Sequence, residues 1–374
     1  MFHKTRQKFT VLFVALAATC LLVVPGCGDD SSSDTTEALS TTTVALATTT
    51  TVTPTTTVAP EPVEKPLIVV TTNILGDVVG KAVGDLFDVE TIMPSGADPH
   101  VFQASAKQVD RMMKADLLVV NGANFEEGLL DIIKGAESGG VKVFEAIDSV
   151  DPLEDNDKEE GHDDHDEEGH DDHDEEGHDD HDKEEGHDDH HGHDHGGVDP
   201  HFFTDPGRMA QVVKQLSDFL VINFPEIDEK DLVSHMTDYS KKLEDLDSEV
   251  MQTLSSIPTG SRVMVTNHEV FAYFAESYEF EILGTIIPSS STLSNTSAKD
   301  LVDLAEKMKA EGVPAVFVDA SSSDALAEAL AGEVDGVKVV SLFSESLGAE
   351  DTAGSTYIDM VRTNSELIAS ALTG

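Results

Sequence analysis

Cysteine is nearly absent. The 374 residues hold two, Cys20 and Cys27, both near the start of the chain. Farther along, disulfides and thiolate ligands are excluded, so any metal there must be held by imidazole and carboxylate. Basic residues are scarce as well: 23 Lys and Arg stand against 73 Asp and Glu, for a formal net charge of -50. That deficit excludes nucleic acid as a partner, because phosphate binding needs clustered cations. It is compatible with a cationic ligand. Long apolar runs are missing too. Residues 9–24, FTVLFVALAATCLLVV, form the one candidate, and it is short for a membrane span.

That run follows Lys4, Arg6 and Lys8 and ends in VPGC at Cys27. It reads as an export signal over residues 1–27, with an apolar stretch that is either removed or anchored. VPGC resembles a bacterial lipobox, which implies lipidation of Cys27; the alternative is a chance Cys after an ordinary signal. Residues 28–65 are rich in Thr, Ser and Pro and cannot bury a core, so they read as a disordered tether. The expected location is extracytoplasmic, with the globular body lipid-anchored to the outer face of the cell membrane, or periplasmic.

From Pro66 onward, apolar runs alternate with helical patterns. LIVVTT, FDVETIMP, DLLVVNG and VKVFEAI read as strands. Between them lie helical stretches such as residues 105–115, where Ser105 and Gln108 have capping-box spacing. Residues 205–224 read as a helix with Asp205 as N-cap and Pro206 in its first turn. A second series starts near Arg262 with RVMVTN, FEILGTII, AVFVDA and VKVVSLF as strands. Such alternation predicts an α/β fold of two lobes, each a parallel sheet flanked by helices. Between the series, apolar residues recur at steps of three and four over residues 229–257 with no Gly or Pro. This predicts one long linking helix of roughly 40 Å. The expected layout is an N-terminal lobe over 66–226, the linking helix over 227–257 and a C-terminal lobe over 258–374.

The first lobe is interrupted at residues 154–197. The unit GHDDHDEE begins at Gly161, Gly169 and Gly177, with a looser copy from Gly186. Roughly half of the acidic surplus lies between Asp151 and Pro200. Such a stretch has no apolar residues to pack and reads as a disordered loop. Its histidines, His162, His165, His170, His173, His178, His181, His187, His190, His191, His193 and His195, are accessory metal-interacting candidates. Three roles stay open: a capture antenna, a sensor of metal load, or a tolerated expansion.

In open α/β sheets, ligands bind beyond the C-terminal ends of the strands. His100 follows VETIMP, His268 follows RVMVTN, Asp319 ends AVFVD and Glu345 follows VKVVSLF. His201 precedes the helix at 205. Asp-Pro-His occurs twice, at 98–100 and 199–201, once on each side of the tract. Three imidazoles and one carboxylate suit four-coordinate Zn²⁺, whereas more carboxylates would point to manganese. Glu269 beside His268 could mimic a general base, but no substrate-pocket signature accompanies it, and the expectation is no catalysis.

The ordered stretches GADPHVFQASAKQVDRMMKADLLVVNGANFEEGLLD, VDPHFFTDP, VTNHEVFAYFAESYEFEILG, VFVDASSSDALAEAL and SLFSESLGAEDTAGSTYIDMVRTNSELI resemble the zinc- and manganese-specific solute-binding proteins of bacterial ABC transporters, cluster A-I. The resemblance covers nearly all of residues 66–374. It implies a metal site in the cleft between the lobes, with His100, His201, His268 and Glu345 as ligands. Zinc members carry His at the third position, where many manganese members carry Glu, so the implied metal is Zn²⁺ rather than Mn²⁺. Glu345 stands where the family usually has Asp, one methylene shorter. Asp319 is implied as a group supporting the ligands or as a possible ligand. Histidine-rich acidic insertions are a feature of the zinc members. The implied partners are an ABC permease and its ATPase subunit, and the protein is expected to be a monomer. A surface metal buffer or adhesin without a permease is the alternative. His235, on the long helix, is expected to be structural.

Overall fold

The structure, a computed structural model, describes residues 65–154 and 197–374. The expected signal segment with Cys27, the tether up to residue 64 and all eleven tract histidines lie outside the described residues.

Two four-stranded parallel sheets form the frame. The first contains β1 (Leu67–Val70), β2 (Asp88–Thr91), β3 (Leu117–Val120) and β4 (Lys142–Glu145) in the order β2-β1-β3-β4. The second contains β5 (Val263–Thr266), β6 (Glu281–Thr285), β7 (Ala315–Asp319) and β8 (Lys338–Leu342) in the order β6-β5-β7-β8. The central strand β3, LLVV, is buried at every position. A parallel strand covered on both faces has no use for alternation and reads as a continuous apolar run. Edge strand β2, DVET, is exposed at both ends.

Helices α1 (Asn73–Val83), α2 (Ala106–Met112) and α3 (Leu130–Ser138) belong to the first series, and α4 (Pro206–Asn223) follows. The Ser105–Gln108 capping box forms, and the Asp205 carboxylate accepts the N–H groups of Gly207 and Arg208 at the start of α4. The second series carries α6 (Ala272–Tyr278), α7 (Ala298–Glu311), α8 (Ala325–Glu333) and α9 (Tyr357–Thr373).

Between them runs α5 (Glu229–Leu254), capped by Asp228. Its 26 residues span about 39 Å at 1.5 Å per residue. Leu232, Met236, Tyr239, Leu243, Leu246, Val250 and Leu254 make one buried stripe. That stripe packs on α1, α4 and α9. The result is a single apolar core from Ile68 and Phe87 through α5 to Met264, Phe317 and Leu372. Smaller clusters sit on the other side of each sheet, around Leu118 and Met112 and around Val316 and Leu304.

Several elements end earlier than the sequence pattern predicts. α2 stops at Met112, three residues before the pattern does, as Lys114 and Ala115 make tight turn bonds to Arg111 and Met112. The stretch after Phe125 opens as a 3₁₀ turn over Glu127–Leu129 before α3 begins. α6 starts at Ala272 because the residues after His268 form a turn: the Glu269 N–H donates to Ser289 and the Val270 N–H to His268. α5 ends at Leu254, where Ser255 and Ser256 turn their hydroxyls back onto Gln252 and Thr253 carbonyls.

Candidate metal centre

Both sheets direct the C-terminal ends of their strands to one region. His100 comes from the loop after β2, and His201 from the connection after β4. His268 lies two residues past β5, and Glu345 three residues past β8. All four are buried, and one donor atom from each lies within 4.8 Å of the others. Glu345 is the hub. Its Oε1 is 2.7 Å from His268 Nε2 and 3.3 Å from His201 Nε2, and its Oε2 is 3.7 Å from His100 Nε2. A tetrahedral ion with bonds of about 2.0–2.1 Å sets its donors about 3.3 Å apart, so the spacing fits a first-row divalent cation. His100 Nε2, His201 Nε2 and Glu345 Oε2 have no hydrogen-bond partner among the described residues. Buried polar atoms without partners are costly; three around one point have the chemistry of a ligand set awaiting a cation.

The far sides of two of the three rings are tied down, while His268 Nδ1 has no hydrogen-bond partner among the described residues. His201 Nδ1 is 2.7 Å from Asp199 Oδ1, and His100 Nδ1 is 3.1 Å from Glu127 Oε1. Each carboxylate favours a proton on Nδ1 and leaves Nε2 facing the centre. Asp319 is not part of the cluster but lies behind it. Its Oδ2 accepts from the backbone N–H of Glu345 at 3.0 Å and from the N–H and hydroxyl of Ser344 at 3.0 and 2.8 Å. Its Oδ1 accepts from the N–H and hydroxyl of Ser321. Asp319 thereby fixes the backbone that presents Glu345.

The electrostatics are those of a charge pair in a dry site. Burial pushes the His201 imidazolium down, but the charges of Glu345 and Asp199 outweigh it and hold its pKa up at about 10. Burial also opposes the Glu345 carboxylate, yet the charges of His201 and His268 hold it below the usual carboxylate range.

The two lobes meet around this centre. Asn73 donates to Ser346 Oγ at 2.7 Å and accepts from the Leu347 N–H at 2.8 Å. Tyr273 Oη donates to the Asp199 carbonyl at 2.7 Å, and Ser277 donates to Asp205 at 2.6 Å. Arg208 pairs with Asp205 and with Glu276 on α6.

Two groups of the site are not apparent from sequence reasoning. Glu127 holds His100, and Asn121 donates from its side chain to the Pro200 carbonyl at 2.9 Å, just before His201. Both follow β3, at the strand edge that carries the histidines, and that position was the available signal. His235 is exposed on α5, against Gly84, and is not part of the cluster.

Known proteins are similar to this chain in sequence and fold. The family described as "ZnuA: Zinc-uptake complex component A periplasmic" matches residues 68–371. Zinc-binding protein TroA of Treponema pallidum (strain Nichols) is 27% identical over 314 residues, covering 82% of this chain and 89% of the relative. The manganese ABC transporter substrate-binding lipoprotein PsaA of Streptococcus anginosus is 25% identical, with 83% and 90% covered. The solved structure of the periplasmic zinc-binding protein TroA from Treponema pallidum superposes with a TM-score of 0.66 at 26% identity, covering 82% of this chain and 99% of that one. With two parallel sheets flanked by helices, four buried donors between them and a family match over most of its length, the chain belongs to the family of periplasmic zinc-uptake components A.

Proposed function

We propose that the protein is the solute-binding component of a metal-importing ABC transporter, and that His100, His201, His268 and Glu345 hold its cargo, Zn²⁺. The observation that carries this reading is the convergence of three imidazole Nε2 atoms on one buried carboxylate. Three nitrogen donors and one oxygen donor suit zinc. Manganese is the second reading. It is favoured by the unpartnered Oε2 of Glu345, which could supply a further oxygen, and by relatives named for manganese. No reaction is catalysed in this reading: four protein donors leave no open position of the kind a catalytic zinc keeps for water.

In the same reading, residues 1–27 form a lipoprotein signal and Cys27 carries the anchor on the outer face of the membrane. Residues 28–65 tether a monomeric body that docks on a permease with its ATPase. Among the described residues no helix is long and apolar enough to cross a membrane. The histidine tract is an accessory to the cleft.

His100→Ala, His201→Ala and His268→Ala should each abolish tight Zn²⁺ binding in chelator competition. Deleting residues 158–196 should leave one tight site. Competition between Zn²⁺ and Mn²⁺ on the intact protein decides the ion. Undiminished tight binding in all three single variants would overturn the assignment.

A further inference from the structure

The two Asp-Pro-His tripeptides are built differently. In the second, Asp199 Oδ1 accepts the backbone N–H of His201 at 2.9 Å and also lies 2.7 Å from its ring Nδ1. That motif orients its own ring. In the first, Asp98 Oδ1 accepts the backbone N–H of His100 at 2.9 Å, but its Oδ2 accepts from Thr292 Oγ1 at 2.8 Å. The His100 ring is held instead by Glu127, whose Oε1 also accepts from Ser291 Oγ at 2.5 Å. Both carboxylates that position His100 are therefore tied to successive residues of one segment of the opposite lobe. The carboxylate at His201 is engaged by its own motif, and Asp199 meets the other lobe through its backbone carbonyl.

That segment, PSSSTLSNT at residues 288–296, joins β6 to α7. It is internally bonded: Ser289 Oγ accepts from the Ser291 N–H at 3.1 Å and from the Ser294 hydroxyl at 2.9 Å. The Ser289 carbonyl accepts the Glu269 N–H, next to His268. A cavity of about 420 Å³ opens beside it, lined by His100, Glu127, Val198 and Ser291 among others. Glu127 keeps a third of its side chain in solvent while His100 is buried, so the pair marks the boundary between site and exterior.

We propose that Glu127 is a positioning residue for His100 and, with Ser291, a latch that holds the serine-rich segment closed over the cation. The latch rests on the reading of His100 as a ligand. With the segment closed, Glu127 keeps the His100 proton on Nδ1 and Nε2 towards the ion. When Ser291 and Thr292 let go, Asp98 and Glu127 lose their partners in the opposite lobe together and move with His100 alone, which is then the first donor freed for release through the cavity.

Zn²⁺ release into excess chelator, followed by stopped flow, tests this. Ser291→Ala and Thr292→Ala should accelerate release several-fold with an unchanged urea midpoint. Glu127→Ala should accelerate it about tenfold or more, the range seen when a carboxylate behind a ligating histidine is removed. Glu127→Gln, which keeps an acceptor for Nδ1, should recover most of the loss. Adding Ser291→Ala to Glu127→Ala should change nothing further, since the serine acts through the glutamate. Ring ¹⁵N spectra of the Zn²⁺-loaded protein should show the His100 Nδ1–H protected from solvent exchange in the wild type and exchanging fast in Glu127→Ala. Additive rates, or release at the wild-type rate from the Glu127 and Ser291 variants, overturn the latch. If His100→Ala itself binds Zn²⁺ like the wild type, the metal-centre assignment has failed instead.

Discussion

Asp319 and Glu126 are both buried carboxylates, and their surroundings give them opposite consequences. Asp319 accepts five hydrogen bonds from Ser321, Ser344 and Glu345. In Asp319→Asn, whichever way the amide turns, a backbone N–H faces an NH₂ group. The expected cost is about 1–3 kcal/mol of stability, read from urea unfolding, with Zn²⁺ affinity weakened about 10- to 100-fold as Glu345 drifts. Unchanged affinity would mean that Asp319 does not support the site. Glu126 accepts from Thr71 Oγ1 at 2.5 Å and the Asn121 N–H at 2.6 Å, but burial outweighs these bonds and pushes its pKa up. A folded pKa above the unfolded one means that the folded state holds the proton more tightly. The associated stability is full below the ordinary glutamate value and is lost as pH rises through the raised one. Glu126→Gln keeps the acceptor oxygen and removes the charge. Its stability relative to the wild type should therefore rise across that window, measured as urea midpoint against pH; a flat difference would refute the burial argument.

At the scale of elements, the positions of the histidines were legible because parallel strands all end at one edge, so a residue just past a strand is already near the site. Strand order was not legible: alternation of strand and helix implies parallel pairing but not β2-β1-β3-β4. Nor was the split between the adjacent glutamates 126 and 127. Backbone geometry decides it, through Gly122, Ala123 and Asn124, all at positive φ. A Cβ on Gly122 would meet Ile147 Cγ2 at 2.6 Å, so position 122 accepts glycine alone. It sends Glu126 inward to Thr71 and Glu127 outward to His100. α5 was legible from its stripe, and its energetic role follows. Leu243 is fully buried where α5 packs against both halves of the molecule. Leu243→Ala should cost about 2–5 kcal/mol. Because one core runs through both sheets, the loss should appear as a single shifted transition. Separate unfolding of the two lobes would contradict a shared core.

For the whole molecule, that shared core limits how the cation can enter and leave. A hinge between lobes needs a few residues that absorb large backbone changes, yet the long rigid α5 is packed against elements of both. The back of the cleft is further bound by Tyr273 with Asp199, Ser277 with Asp205, and Arg208 with Glu276. The contacts in front are hydrogen bonds from a short loop, Ser291 to Glu127 and Thr292 to Asp98. Opening should therefore be a local motion of the 288–296 segment rather than a rotation of lobes. The scarcity of cysteine makes this measurable, since Cys20 and Cys27 are the only ones in the chain. In a variant starting after Cys27, cysteines introduced at exposed Lys134 on α3 and Lys307 on α7 would each take a single label. The distance between those labels, one per lobe, should change by no more than about 1 Å when Zn²⁺ is added or removed, the range of pre-organised binding. A third label on exposed Leu293, paired with Lys134, should shift clearly between the same two states. Large movement of the Lys134–Lys307 pair would make the lobes themselves the gate.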